Sequence, residues 1–385
     1  MNRVTPPTSS VDRLLLATAF SGPDTDFDEL IRECDDWASL LEKAGRHHLL
    51  TSLAVRGAGH PSIAEDVSRT LEKIKSETTY RDRMTVLTLS EILEALGRVD
   101  IQPILIKGQS LSERLYDHPE ERWAKDIDLL IPSDRLNDAD HVLCDIGFIR
   151  VNPEHYREYH FHLPYCRPTG RAGQYLEIHW DLTPKSSPVQ FTPQSWFKVA
   201  QTHTLRAGRL LLPPPQEELR HLSWHALNGG TLTLRDTSEV LQLHSLLSEH
   251  ERESIDDSFV KAIVAVGRSL WSETGKELLP PLTERRWLSR AMLSSSTVLE
   301  IGNVRWAALR SVCYWSLLRP ESAGLEFLFR DSLESIEQDR RRDGSQVGFR
   351  EAVRITLGLL LALAACIVTD RPDALPTSAS QRTHG

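Results

Sequence analysis

Apolar residues recur at three- and four-residue steps through the N-terminal part of the chain. Phe27, Leu30, Ile31, Cys34, Trp37, Leu40 and Leu41 fall on one helical face. Ile63, Val67, Leu71 and Ile74, then Val86, Leu89, Leu93 and Leu96, continue the pattern. The run from Leu14 to Phe20, closed by Ser21-Gly22-Pro23, is too short and too poorly flanked for a signal peptide and predicts a first helix. Residues 10 to 98 are therefore expected to be helical.

The period then changes. Gln102 to Lys107, entered through Pro103, predicts a short strand. Gly108 follows, then a helix through Leu111 and Leu115, then a second strand, "DIDLLI". Leu136 to Cys144 reads as a helix stopping at Gly147, and "FIRV" resumes as a strand. Tyr156 to Tyr165 and Gln174 to Leu182 predict two more strands, joined by a loop carrying Pro168, Gly170 and Gly173. Pro213-Pro214-Pro215 marks a boundary, because proline continues neither a helix nor a central strand. Gln216, Glu217 and Glu218 open an acidic first helical turn, and helices are expected over 216 to 370, the first ending at Asn228-Gly229-Gly230. No internal repeat of fixed period is found. The resulting expectation is α+β: a helical region over 1–98, a mixed-sheet core over 99–212, a helical domain over 213–370 and a disordered tail over 371–385.

Composition narrows the functions open to such a chain. Its 385 residues suffice for sizeable cores. A net charge of -9 and no polycationic arm argue against duplex DNA, while a small or diphosphate-bearing ligand at a local basic spot stays open. Cys34, Cys144, Cys166, Cys313 and Cys366 are spread without a C-x-x-C pair, which predicts reduced thiols and a cytoplasmic setting. The apolar tract Ile355 to Thr369 falls short of the ~20 residues a membrane span needs and predicts a buried helix.

The chemistry concentrates in the middle third. In a strand, residues i and i+2 share a face, so Asp126 and Asp128 project together, about 7 Å apart. Two such carboxylates repel unless a cation lies between them, and hard oxygen ligands suit Mg²⁺. Alone, a D-x-D also describes a solvated acidic strand end. In "LEIHWD", Glu177, His179 and Asp181 share one face, as they would on an ordinary amphipathic edge strand or as a further acid for a metal or a proton. Lys107-Gly108 offers a strand-to-helix turn at which backbone N–H groups can approach phosphate oxygens. Lys107 and Arg122 are basic groups close in sequence to this turn and to the D-x-D, and each also reads as a solvated charge. Ser110 fits a helix cap or a phosphate donor equally well. His160, His162 and His179, with His155 nearby, form a rival set for Zn²⁺ or Mn²⁺, though no H-E-x-x-H appears. His179 otherwise reads as a group orienting Glu177. His225, Arg235 and Asp236 fall where a helical lobe could face the cleft, or where an Arg–Asp ion pair joins helices.

The order of strand, glycine turn, helix, D-x-D strand and later acidic strand resembles the nucleotidyltransferase superfamily related to polymerase β. Within it, "ILIKGQSL", "PEER", "DIDLLI", "GF" and "LEIHW" are similar to an uncharacterised bacterial nucleotidyltransferase family with a Lys-Gly turn. The likeness is dense from about residue 102 to 182. It implies Asp126 and Asp128 as Mg²⁺ ligands, Glu177 as third acid, and the Gly108 turn as triphosphate cradle. Gln109 departs from the small residue usual after that glycine. The resulting expectation is a Mg²⁺-dependent, or Mn²⁺-dependent, nucleotidyltransferase with an NTP as co-substrate. Its acceptor would be a small molecule, peptide or protein rather than RNA, with no membrane partner. Lys107, Gly108, Ser110 and Arg122 would neutralise phosphate charge. A His-rich metallohydrolase, or a non-catalytic scaffold on the same fold, stands as the alternative.

Overall fold

The computed structural model describes residues 9–20, 26–151, 160–168, 173–184, 187, 189–228 and 232–271. His155, Gly170, Gly229-Gly230, Cys313, Cys366, the tract Ile355 to Thr369 and the C-terminal tail lie outside them.

The N-terminal periodicity resolves into five helices: α1 (Ser10–Ala19), α2 (Phe27–Glu33), α3 (Trp37–Arg46), α4 (Leu50–Gly57) and α5 (Glu65–Gly97). The breaks follow from local capping. Ser9, Asp26 and Asp36 each accept a hydrogen bond from the backbone N–H three residues on, starting α1, α2 and α3.

The middle region forms β1 (Ile104–Leu105), α6 (Gln109–Leu115), β2 (Asp126–Leu130), α7 (Leu136–Asp145), β3 (Ile149–Arg150), β4 (His162–Arg167) and β5 (Gln174–His179). A short α8 (Pro193–Trp196) then leads into a hairpin of β6 (Gln201–Leu205) and β7 (Gly208–Leu212) that the sequence pattern did not announce. Its turn, Arg206-Ala207, has no Asn-Gly or Asp-Gly signature, and Gly208 follows it at φ +130. All seven strands make one mixed sheet in the order β3-β4-β5-β2-β1-β7-β6. The pairs β2–β5 and β1–β7 are parallel. After the triple proline come α9 (Pro215–Asn228), α10 (Leu234–Leu246), α11 (Glu249–Ser254) and α12 (Ser258–Trp271). Among the described residues, no helix is long and apolar enough to cross a membrane.

Strand alternation divides the buried residues into two cores. Leu105, Ile127, Leu129, Ile131, Leu163, Tyr165, Leu176 and Ile178 meet Leu89, Ile92 and Leu96 of α5 and Ala139 and Leu143 of α7. On the opposite face, Ile104, Ile106 and Leu130 join a larger core that runs from Val11 of α1 to Val266 of α12. That second face is the one on which the acids stand.

Two buried glutamates fasten the helices after residue 213 to the region between β1 and β2. Glu218 of α9 receives both terminal nitrogens of Arg114 at 3.0 and 2.7 Å. Glu239 of α10, fully buried, receives Arg122 Nε and Nη2 at 2.9 and 3.2 Å and the Tyr116 hydroxyl at 2.9 Å. Arg122 is itself buried, so removing its partner strands a charge. Glu239→Ala is therefore expected to lose about 3–5 kcal/mol of unfolding free energy in a denaturant titration.

Candidate functional site

Strand register converts the one-dimensional motifs into a grid. On the parallel β2–β5 ladder, Asp126 stands opposite Tyr175, Asp128 opposite Glu177 and Leu130 opposite His179. On the antiparallel β4–β5 ladder, His162 stands opposite His179 and Pro164 opposite Glu177. On the other side of β2, the Ile106 N–H donates to the Asp128 carbonyl at 3.1 Å. The Asp128–Glu177 pair thus occupies the middle of the face. Leu130, His179 and His162 form its closed end, and Asp126, half-buried, lies toward the open end.

The backbone turns sharply where β1 leaves the sheet. Lys107 adopts φ +59 and Gly108 φ +49, ψ -122. The second conformation is one that side-chain-bearing residues rarely adopt, so conformation, rather than space, requires glycine here. The turn lies against the D-x-D strand: a Cβ at position 108 would sit 3.6 Å from the Asp126 carbonyl oxygen. It also sends Lys107 back over the acids, its Nζ 3.2 Å from Asp128 Oδ1.

His179 completes the arrangement from β5. Its Nε2 lies 3.0 Å from Asp128 Oδ1 and 3.3 Å from Glu177 Oε2, and His162 Nε2 lies 3.9 Å from Glu177 Oε1. Burial by itself would raise the proton affinity of Asp128, but Lys107 and the hydrogen-bonded His179 hold its carboxyl far below the usual range. Burial likewise opposes a charge on His179, and its bonds to Asp128 and Glu177 prevail and raise its pKa. In Glu177 the bond from His179 outweighs burial and lowers the pKa. Asp126 is the reverse case, raised by burial and by repulsion from Asp128 and Glu177. Burial and the neighbouring His179 push His162 down to about 4.

Asp128, Glu177 and His179 each offer one ligand atom, and these atoms lie within 4.8 Å of one another. A carboxylate held ionised, a second beside it and an imidazole nitrogen are a donor set that fits a divalent cation. The unfavourable charge on Asp126 is of the kind such a cation would relieve.

The remaining sequence-derived residues are placed as follows. Ser110 is buried, its hydroxyl 3.0 Å from the Lys107 carbonyl and 3.4 Å from Glu218 Oε1. Arg122 faces Glu239, as described above. Gln109 is buried, and neither atom of its amide has a hydrogen-bond partner among the described residues. Asp181 lies beyond the end of β5 and accepts from the Leu182 N–H at 2.7 Å. Asp236 completes the capping box of α10, its carboxylate accepting from the backbone N–H and hydroxyl of the N-cap Thr233. Arg235 points Nη2 to His48 Nδ1 at 3.1 Å. The bridging position of His179 between Asp128 and Glu177 depends on strand pairing, of which the sequence carried only the shared face with Glu177.

A family model described as an uncharacterised nucleotidyltransferase matches residues 33–269. No curated protein matches the chain. Among solved structures, an antigenic nucleotidyltransferase-like protein from Paracoccidioides brasiliensis aligns over 47% of this chain and 85% of its own, at 16% identity and a TM-score of 0.33. That likeness is too slight to bear on the site.

The two aspartates should differ in their effect on stability. An acid whose pKa is raised by folding is disfavoured in its ionised form, so removing its charge relieves the fold above that pKa. An acid whose pKa is lowered is stabilising when ionised. In chelator at neutral pH, Asp126→Asn is expected to unfold at the same or higher denaturant than the native protein. Asp128→Asn, which leaves Lys107 without its charged partner and His179 with Glu177 alone, is expected to lose about 3 kcal/mol or more.

Proposed function

Because the chain belongs to the family of uncharacterised nucleotidyltransferases, we propose that it transfers a nucleoside monophosphate from an NTP to an acceptor hydroxyl or phosphate. The observation that carries this reading is the set of carboxylates Asp126, Asp128 and Glu177 on one sheet face, beside the Lys107-Gly108 turn. In the reaction an acceptor oxygen bonds to the α-phosphorus, the bond to the bridging oxygen breaks, and pyrophosphate leaves.

Asp126, Asp128 and Glu177 would hold Mg²⁺, or Mn²⁺ given the adjacent His179 nitrogen. Bound there, the metal lowers the acceptor's pKa and shields phosphate charge. Glu177, more open to solvent than Asp128 with 29% of its side chain exposed against 5%, would complete the metal site or take the acceptor's proton. Lys107 and the backbone at Gly108 would cradle the triphosphate. Ser110 and Arg122, engaged with Glu218 and Glu239, would support that cradle by shaping the turn and adding positive potential. The net charge of -9 favours a small-molecule, peptide or protein acceptor over RNA. Cys34, Cys144 and Cys166 are free, which suits the cytoplasm.

The cluster of His162 and His179 beside Glu177 favours one second reading, a metallohydrolase. Tightly held zinc in the purified protein would support it.

Calorimetric titration of each of the four NTPs, with Mg²⁺ present, tests the first reading. At least one NTP is expected to bind the native protein, with binding abolished in Asp126→Ala/Asp128→Ala. Failure of every NTP to bind, or equal binding by the double variant, would overturn it.

A further inference from the structure

α9 is enclosed by protein on nearly every side in its second half. Leu222, Ser223, Trp224, Ala226 and Leu227 are all buried, and so is His221. From His221 to Leu227, His225 alone is exposed. A helix enclosed in this way presents an open side chain where a cleft reaches it.

The stripe of α9 that carries His225 starts beside the glycine turn. Glu218, His221 and His225 lie at i, i+3 and i+7, one stripe along α9. At its first end Glu218 bonds to Ser110 and Arg114 of α6, the helix that follows the glycine turn. In the middle, the buried His221 ring packs 5.5 Å from Phe191 and 6.3 Å from Trp224, and its centroid lies 6.4 Å from that of His225. The charges bearing on His225 come from the site itself: Lys107 foremost, then Asp128, Arg122 and His179. The positive charge of Lys107, foremost among these, pushes its imidazole down to about 3, so it is neutral and keeps one N–H and one lone pair.

The site otherwise has few uncommitted donors for a polyanion. Lys107 is paired with Asp128, Ser110 with the Lys107 carbonyl and Glu218, and Arg122 with Glu239. His225 makes no hydrogen bond to another described residue. We propose that His225 is a phosphate-contacting residue, donating from its imidazole to the phosphoryl oxygens of a triphosphate seated at the Lys107-Gly108 turn. This rests on the nucleotidyltransferase reading and adds to it a donor from outside the sheet and its glycine turn.

The test compares native protein, His225→Ala and His225→Gln in calorimetric titrations with inorganic tripolyphosphate and with the NTPs, in Mg²⁺, alongside melting temperatures. Loss of one hydrogen bond to a charged group predicts about tenfold weaker binding of both ligands in His225→Ala. His225→Gln, which keeps a donor, should recover most of that affinity, and because the side chain is exposed both variants should melt with the native protein. Unchanged affinity for tripolyphosphate in His225→Ala would overturn the proposal, whether or not NTP binding changed. If the native protein bound neither ligand, the nucleotidyltransferase reading would fall first and this assignment with it.

Discussion

The buried charge of Asp128 is the constraint around which the rest of the site is built. A carboxylate in the middle of a sheet, 4% exposed, costs several kcal/mol unless it is paired. Two partners from different elements meet that need, and both reach the same oxygen: Lys107 from the end of β1 and His179 from β5. Each partner has its own requirement. Lys107 reaches back over β2 from a left-handed backbone conformation, which a side-chain-bearing residue adopts at a cost of order 1–3 kcal/mol. His179 must stand in register with Leu130, which fixes Glu177 opposite Asp128. The position of the second acid is therefore a consequence of how the first is neutralised.

The same logic extends outward through buried glutamates. Glu218 and Glu239 lie on different helices, both after residue 213, yet each is held by an arginine from the segment between β1 and β2. Those pairs hold the turn helix α6 and the short "PEER" segment in place. Glu121 of that segment accepts from the Ser52 hydroxyl at 2.6 Å and from Arg56 Nε at 3.0 Å, both on α4. Helices from both ends of the described chain thus meet at one segment, and the turn at Gly108 is braced from both directions. The phosphate cradle proposed at this turn would depend on such bracing, since backbone donors have no side-chain freedom to adjust.

This division between pattern and partner explains what the sequence disclosed. Alternation alone put Asp126 with Asp128, and Glu177 with His179, because period-2 geometry is local. Glycine at 108 was legible as a turn because few other residues take its conformation. Arg122 shows where local reading stops. From sequence it is a basic group close to the D-x-D; in the fold its guanidinium belongs to Glu239, 117 positions away. The bond of His179 to Asp128 spans 51 positions and follows from a parallel ladder that no periodicity encodes. The β6–β7 hairpin escaped notice for a related reason: its turn lacks the dipeptides that mark such turns, and its strands take their place in the sheet from β1.

The grid also orders the proposed reaction in space. The Lys107-Gly108 turn lies on the β1 side of β2, while Glu177 lies on the β5 side. Phosphoryl transfer places the attacking and leaving oxygens roughly in line through phosphorus. With pyrophosphate leaving toward the turn, the acceptor must come from the β5 and β4 side, past Glu177, Pro164 and His162. The face is closed at its Leu130–His179–His162 end and opens toward Asp126 and the exposed Tyr175. On this reading the acceptor enters over Tyr175, and its oxygen reaches Glu177 before it reaches the phosphate. The acid on the acceptor's side of the phosphate is then also the one that would take its proton, while Asp128, held between Lys107 and His179, keeps its charge throughout.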